Sequence, residues 1–264
     1  MALRASPQPL RYHTLGLCGR IAWTGYHQKE TAPGSRQCKG SATQSLVTVG
    51  NRKNHIARAI ALAPPEGENA VMKEVRFPKL VTPRLLLRAP SERDIPAWFA
   101  RATDVESASL AGDPVPDDIS SGKQWLARSR QRLADGQAIQ WSIDRAGISD
   151  AIGTITLSFS ATDAKAAALG FVLARAHWGL GLGGEAAREV LRYGFETLAL
   201  EQVEAEAAAR NSASLRILAK LGFKHIGSFI DESDGEPCER FVLVGGNWRK
   251  DRDSNPDGLS ASAL

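Results

Sequence analysis

Four glycines within six residues, Gly179, Gly181, Gly183 and Gly184, lie between an apolar run and an amphipathic one. With no Cβ in the way, successive backbone amides can converge on one anion, and a helix starting there adds unpaired N–H groups and the positive end of its dipole. The chemistry such a loop suits is the grip of a phosphate or diphosphate. The structural alternative is a turn that only packs a strand against a helix. Gly179, Gly181 and Gly184 also satisfy GxGxxG, and Glu204 follows at about the distance where a dinucleotide fold keeps its ribose-binding acid. That fingerprint normally opens its domain. Here hairpin-like strands come first, polar Arg175, Ala176 and His177 intervene, and only about 80 residues remain. No Gly-Lys-Ser or Gly-Lys-Thr triplet is present, which excludes a nucleotide P-loop. Cys18, Cys38 and Cys238 form neither a CxxC nor a His/Cys cluster, so no metal site is expected.

The elements that must position this loop begin near Met72. A strand is predicted after Pro83, then a helix capped by Ser91, with Asp94 in its first turn and Ile95, Trp98 and Phe99 on one face. Residues 113–118 read as a loop. A helix over 121–133 places Trp125, Leu126, Ser129 and Leu133 inward. Strands follow at 138–143, 151–159 and 167–173, then the glycine loop. The helix after it runs to about residue 200, with Ala187, Val190, Leu191, Phe195 and Leu198 as its apolar stripe. A strand at 201–207, a helix at 211–221 ended by Gly222, and strands at 224–230 and 240–244 complete the body. Hairpins first and a strand–helix–strand–helix unit later indicate an α+β or mixed α/β sheet.

The 264 residues are 43% hydrophobic and 23% charged, which suits one well-buried domain of 72–250 with extensions at 1–71 and 251–264. No apolar stretch approaches the ~18 residues of a membrane-spanning helix. The formal charge is +4. Residues 1–71 hold nine Lys/Arg against three acids, whereas residues 72–264 hold 24 against 26. The body is therefore slightly acidic, and neither nucleic acid nor membrane is an expected partner. The first segment is Arg-rich and acid-poor. It reads as a flexible or misassigned extension of a cytoplasmic protein, with an organelle-targeting segment as the alternative.

Three motifs in order carry a resemblance. They are Thr82-Pro83-Arg84 leading to Arg88, Leu169-Gly170-Phe171 leading through Trp178 and the glycines to Glu185, and Asn211 through Ser214 to Leu221-Gly222-Phe223. Residues 80–250 resemble the GNAT superfamily of N-acetyltransferases, in particular its ribosomal-protein N-terminal (RimJ/RimL-like) branch. The resemblance implies a mixed, mostly antiparallel twisted sheet flanked by helices, acetyl-CoA as co-substrate and a monomer or homodimer. It implies that the backbone of Val172, Leu173 and Ala174 pairs with the pantetheine arm, that Trp178, Gly179, Leu180, Gly181, Leu182, Gly183 and Gly184 surround the diphosphate, and that Asn211 lies near the arm and Ser214 near the sulfur. The structural alternative is that Asn211 is a plain helix N-cap and Ser214 a first-turn residue.

The implied reaction is direct attack of a primary amine, on a protein N-terminus or a small molecule, upon the thioester. An ammonium must first lose its proton, and the departing thiolate benefits from a donor. Many relatives carry a tyrosine acid where this chain has Leu218, so Ser214 is the substitute donor. Glu204 is the candidate base, with Glu206 sharing its face by alternation; the structural alternative is that both are solvated or paired with an arginine. His177 and His225 are weaker candidates. Residues 111–119 and 159–166, along with the first helix pair, would wall the acceptor site. Asp104, Glu106, Asp113, Asp117 and Asp118 give that first region an acidic character suited to a cationic amine; the structural alternative is ordinary solvated loop acids. Two other functions stay open on sequence alone: a non-catalytic CoA-binding regulator and a nicotinamide-dependent oxidoreductase.

Overall fold

The computed structural model describes residues 77–112, 115–232 and 234–248; the extension 1–71 and the tail 251–264 lie outside the described residues. In chain order the elements are β1 (Leu80–Val81), β2 (Leu85–Arg88), α1 (Ile95–Ala102), α2 (Val105–Ala111), α3 (Ser121–Ala134), β3 (Ala138–Arg145), β4 (Gly153–Phe159), β5 (Ala166–Leu173), α4 (Leu182–Arg192), β6 (Gln202–Ala208), α5 (Ser212–Lys220), β7 (Lys224–Ile230) and β8 (Pro237–Val244). The strands form one sheet in the order β1-β2-β3-β4-β5-β6-β8-β7. Among the described residues β5 and β6 are the one parallel pair, and every other neighbouring pair is antiparallel. The mixed, mostly antiparallel sheet expected from the element order is present.

Side-chain alternation gives the sheet two unlike faces. Leu87, Ile143, Ile155, Leu157, Leu169, Val203 and Leu243 lie on one face and are buried against Ala186, Ala187, Val190 and Leu191 of α4 and Leu218 of α5. The opposite face carries Gln140, Ser142, Thr154 and Thr156, polar yet buried, beneath the layer of α1, α2 and α3. Arg88 ties this layer to the sheet. Its guanidinium bonds Asp94 at the entry to α1 (2.6 and 2.8 Å) and Asp144 on β3 (2.6 and 2.8 Å), while Asp94 accepts from the Ser91 amide and Ser142 Oγ. Burial raises the Asp94 pKa, but these donors outweigh it and hold the carboxyl below its ordinary value.

Beyond the short β1, which the sequence reading did not separate from β2, two helices differ from it. The seven-residue α2 was not foreseen, because Val105 is 83% exposed and the segment shows no apolar stripe. Its ends define it instead: Asp104 Oδ1 accepts from the Ser107 amide, and Gly112 closes it in the left-handed conformation. The helix expected to continue to about residue 200 stops being α-helical at Arg192 and widens into a π turn over Tyr193–Thr197. The wider turn keeps Tyr193 and Phe195 both in the core.

Candidate active site

β5 and β6 pair at three positions, Ala166↔Gln202, Ala167↔Val203 and Ala168↔Glu204, although both strands continue beyond them. Past Ala168 and Glu204 the strands part and leave a wedge within the sheet. Which main-chain groups face it follows from two bonds, Ser160 N–H to the Ala166 carbonyl and Ala174 N–H to the Ile152 carbonyl. Bonded pairs alternate in an antiparallel ladder, so Gly170 and Val172 direct their N–H and C=O to β4. Leu169, Phe171 and Leu173 direct theirs into the wedge. The same alternation across β6 and β8 turns the Glu204, Glu206 and Ala208 main chain toward it from the other side. The Leu173 and Ala208 carbonyls are taken, by the Trp178 indole and the Asn211 amide, and Glu204 still pairs with β5. The strand backbone left unpaired between them is what an extended ligand pairs with as an added strand.

Of the three residues expected there, Leu173 faces the wedge, Val172 belongs to the β4 ladder, and the Ala174 carbonyl accepts from the His177 amide. Phe171 was missed, since the parity of a strand is fixed only once its partner is known. Trp178 donates its indole N–H to the Leu173 carbonyl at 2.7 Å, so its side chain fixes the turn out of β5.

The glycine cluster divides into two parts with different duties. Gly179 and Gly181 adopt φ of 74° and 73°, the left-handed region that favours glycine. Gly181 is the N-cap of α4 and has no side chain to cap it. Consequently the amides of Gly181, Leu182, Gly183 and Gly184 donate to no acceptor among the described residues; the first helical bond is Glu185 N–H to the Gly181 carbonyl. A Ser or Asp cap would have consumed one of these donors and, for Asp, added negative charge. Gly183 instead answers to packing, since a Cβ there would sit 3.3 Å from Ile217 and 3.5 Å from Leu173 and Phe171. Leu182 is buried in the core and anchors the turn, while Leu180 stays 45% exposed.

Glu204 ends the paired part of β6, on the polar face, half-buried and with no hydrogen-bonding partner among the described residues. Glu206 is different, because Arg240 on β8 holds it at 2.6 Å, the arginine pairing weighed above. Asn211 Oδ1 caps α5 by accepting from the Ser214 amide at 3.0 Å, which leaves its Nδ2 as a donor. Ser214 is half-buried in the first turn of that helix, and Leu218, one turn later, is core. His225 pairs with Glu239 on the outer strands β7 and β8, away from the wedge. His177 lies in the turn after β5, where burial and then Arg145 lower its pKa.

The profile of the acetyltransferase (GNAT) domain matches residues 84–224. The chain belongs to the GNAT family. Its fold, with one parallel pair in an antiparallel sheet, excludes the dinucleotide reading of the glycines, and GNAT membership makes the protein an acyltransferase whose family uses acetyl-CoA. A relative, the uncharacterized N-acetyltransferase YoaA of Bacillus subtilis (strain 168), is 30% identical over 151 residues, or 57% of this chain and 85% of YoaA. Two solved structures share the fold. Spermidine N-acetyltransferase from Vibrio cholerae, in complex with CoA and spermine, has a TM-score of 0.55 at 16% identity, covering 62% of this chain and 98% of that one. Mycobacterium smegmatis RimJ, in complex with CoA-disulfide, has a TM-score of 0.55 at 20% identity, covering 62% and 83%.

At the open end of this GNAT wedge, α2 bridges the two arms. Arg175, just past β5, meets Asp104 and Glu106 at 3.2 and 2.9 Å; Arg210, just past β6, donates to the Ser109 carbonyl at 3.0 Å. A cleft of about 570 Å³ lies among these residues. Of the acids expected to suit a cationic amine here, Asp104 and Glu106 are committed to Arg175 and Asp118 accepts from the Ser120 amide, whereas Asp117 lies exposed in the loop. Asp113 falls outside the described residues. Among the described residues no cluster of His, Cys, Asp and Glu could hold a metal ion, and no helix is long and apolar enough to cross a membrane.

Proposed function

We propose that the protein transfers the acetyl group of acetyl-CoA to a primary amine, on a protein N-terminus as in the Rim-like branch or on a small molecule, by direct attack. The observation that carries this reading is the conjunction of four amides at the start of α4, which donate to nothing among the described residues, with a wedge that ends at a carboxylate, Glu204, likewise unpartnered among them. Bound acetyl-CoA supplies an activated thioester carbonyl. The amides of Gly181 to Gly184 hold its diphosphate, with Gly179, Leu180 and Trp178 shaping the loop. Wedge-facing main chain of Phe171 and Leu173, with the Asn211 side-chain amide, keeps the arm extended and in register. Glu204 takes the proton from the acceptor's ammonium, directly or through a water. The Ser214 hydroxyl donates to the departing sulfur. Gly170 gives the acceptor room on the polar face: a Cβ built there meets nothing within 4 Å, although the residue sits inside a central strand.

The test is incubation of the full chain with acetyl-CoA and a mixed library of peptides and small amines, read by mass spectrometry. Acetylated free amines are the expected products, and the class of the best acceptor decides between an N-terminal and a small-molecule substrate. Binding of acetyl-CoA with no turnover of any amine would overturn the transferase reading of the site.

A further inference from the structure

Glu185 poses an electrostatic problem. It stands in the first turn of α4, one residue after the four free amides, where its negative charge opposes the binding of a diphosphate. Its carboxylate is 6% exposed and is gathered in by the β1–β2 turn. Thr82 Oγ1 and the Arg84 amide donate to Oε1 at 2.5 and 3.1 Å, and Arg84 Nε donates to Oε2 at 2.6 Å. The same guanidinium reaches the loop, with Nη1 donating to the Leu180 carbonyl at 2.9 Å. That bond commits the Leu180 carbonyl to Arg84. Nη2 donates to no acceptor among the described residues and would lie 3.5 Å from a Cβ built on Gly181. The Arg84 side chain is 48% exposed.

We propose that Arg84 completes the diphosphate site: Nε and Nη1 lock helix and loop in place, and Nη2 takes a phosphate oxygen. This deepens the acetyl-CoA reading above and rests on it. The arrangement couples Thr82 and Arg84 to a loop about a hundred residues away. Glu185 cancels one unit of the arginine's charge while fixing its plane, so the fork is held ready with one edge open. A lysine cannot make these contacts together, since an ammonium lacks the planar fork.

Three donors separate binding from mere bracing in steady-state kinetics: acetyl-CoA, its 3′-dephospho analogue, which keeps the diphosphate, and acetyl-pantetheine, which lacks it. Arg84→Ala is expected to lower the preference for acetyl-CoA over acetyl-pantetheine by about tenfold or more, equivalent to about 1.4 kcal/mol. The preference for the dephospho analogue should fall by the same factor, which assigns the loss to the diphosphate. Arg84→Lys should recover part of it. Glu185→Gln, which weakens the brace and keeps the open edge, should lose less than Arg84→Ala. If Arg84→Ala lowers transfer from all three donors by one common factor, or matches Glu185→Gln throughout, Arg84 is a brace only and the proposal fails. If the unaltered protein neither binds nor uses acetyl-CoA, the underlying reading fails instead.

Discussion

Replacing Gly181 by alanine tests whether the loop's shape is made for a ligand. Its φ of 73° costs an L-residue about 1–2 kcal/mol. The new methyl would find only Arg84 Nη2, at 3.5 Å, an ordinary contact, so the whole cost is conformational. Where that cost is felt depends on what holds the loop. Gly179, Leu180 and Gly181 are exposed, Arg84 holds the loop only at the Leu180 carbonyl, and the amides from Gly181 to Gly184 donate to no acceptor among the described residues, so the Gly181 peptide of the variant can relax at little expense to the fold. Gathering those amides onto a diphosphate then restores the strain. We expect KM for acetyl-CoA to rise about 5- to 30-fold, kcat to stay within about twofold, and unfolding free energy to change by less than about 0.5 kcal/mol. Gly147→Ala is the control: it has φ of 79°, an equally open surrounding, and a place in the β3–β4 turn. It carries the same strain and should leave KM alone. The assay is initial-rate kinetics beside urea unfolding. An unchanged KM with a stability loss of 1–2 kcal/mol would show the loop to be rigid without ligand and refute the reasoning.

Other outcomes follow from the same structure. Glu204→Gln should lower kcat by about 10²–10⁴ with little change in KM for acetyl-CoA, and Ser214→Ala should lower it less; unchanged rates in both would reject the proton-transfer roles. Gly170→Val should raise KM for the amine and spare that for acetyl-CoA, because the added atoms enter the open space on the polar face; equal KM values for valine and glycine would place the acceptor elsewhere. Asp94→Asn should destabilise the fold by about 3 kcal/mol at neutral pH by breaking the buried pair with Arg88. Since the folded carboxyl is held below its unfolded value, its contribution is complete above the unfolded pKa of ~3.9 and is lost as pH falls through the folded one. The gap between Asp94→Asn and the unaltered protein should accordingly shrink below about pH 4 in urea titrations, and a gap constant with pH would dismiss the linkage.

What the chain's own residues determined is local. Left-handed Gly179 and Gly181, the capping residues Asn211 and Gly222, and the stripe of Ala187, Val190 and Leu191 are fixed by φ, by caps and by period, all acting within a few residues. Strand 224–230 and helix 121–133 were legible for the same reason, and so was a glycine turn opening directly into a helix. Tertiary structure alone decided the rest. Nothing in the Leu169–Leu173 run says that β6 departs after Glu204, nor that Phe171 rather than Val172 faces the wedge, because both depend on where neighbouring strands pair. The contrast between Glu204, left without a partner among the described residues, and Glu206, claimed by Arg240, rests on the register of β8 against β6. Arg84 and Glu185 are 101 residues apart, and their meeting is set by how α4 crosses the β1–β2 turn. Backbone conformation is a short-range property of residue type, whereas hydrogen-bond saturation and charge pairing belong to whichever segments the fold brings together.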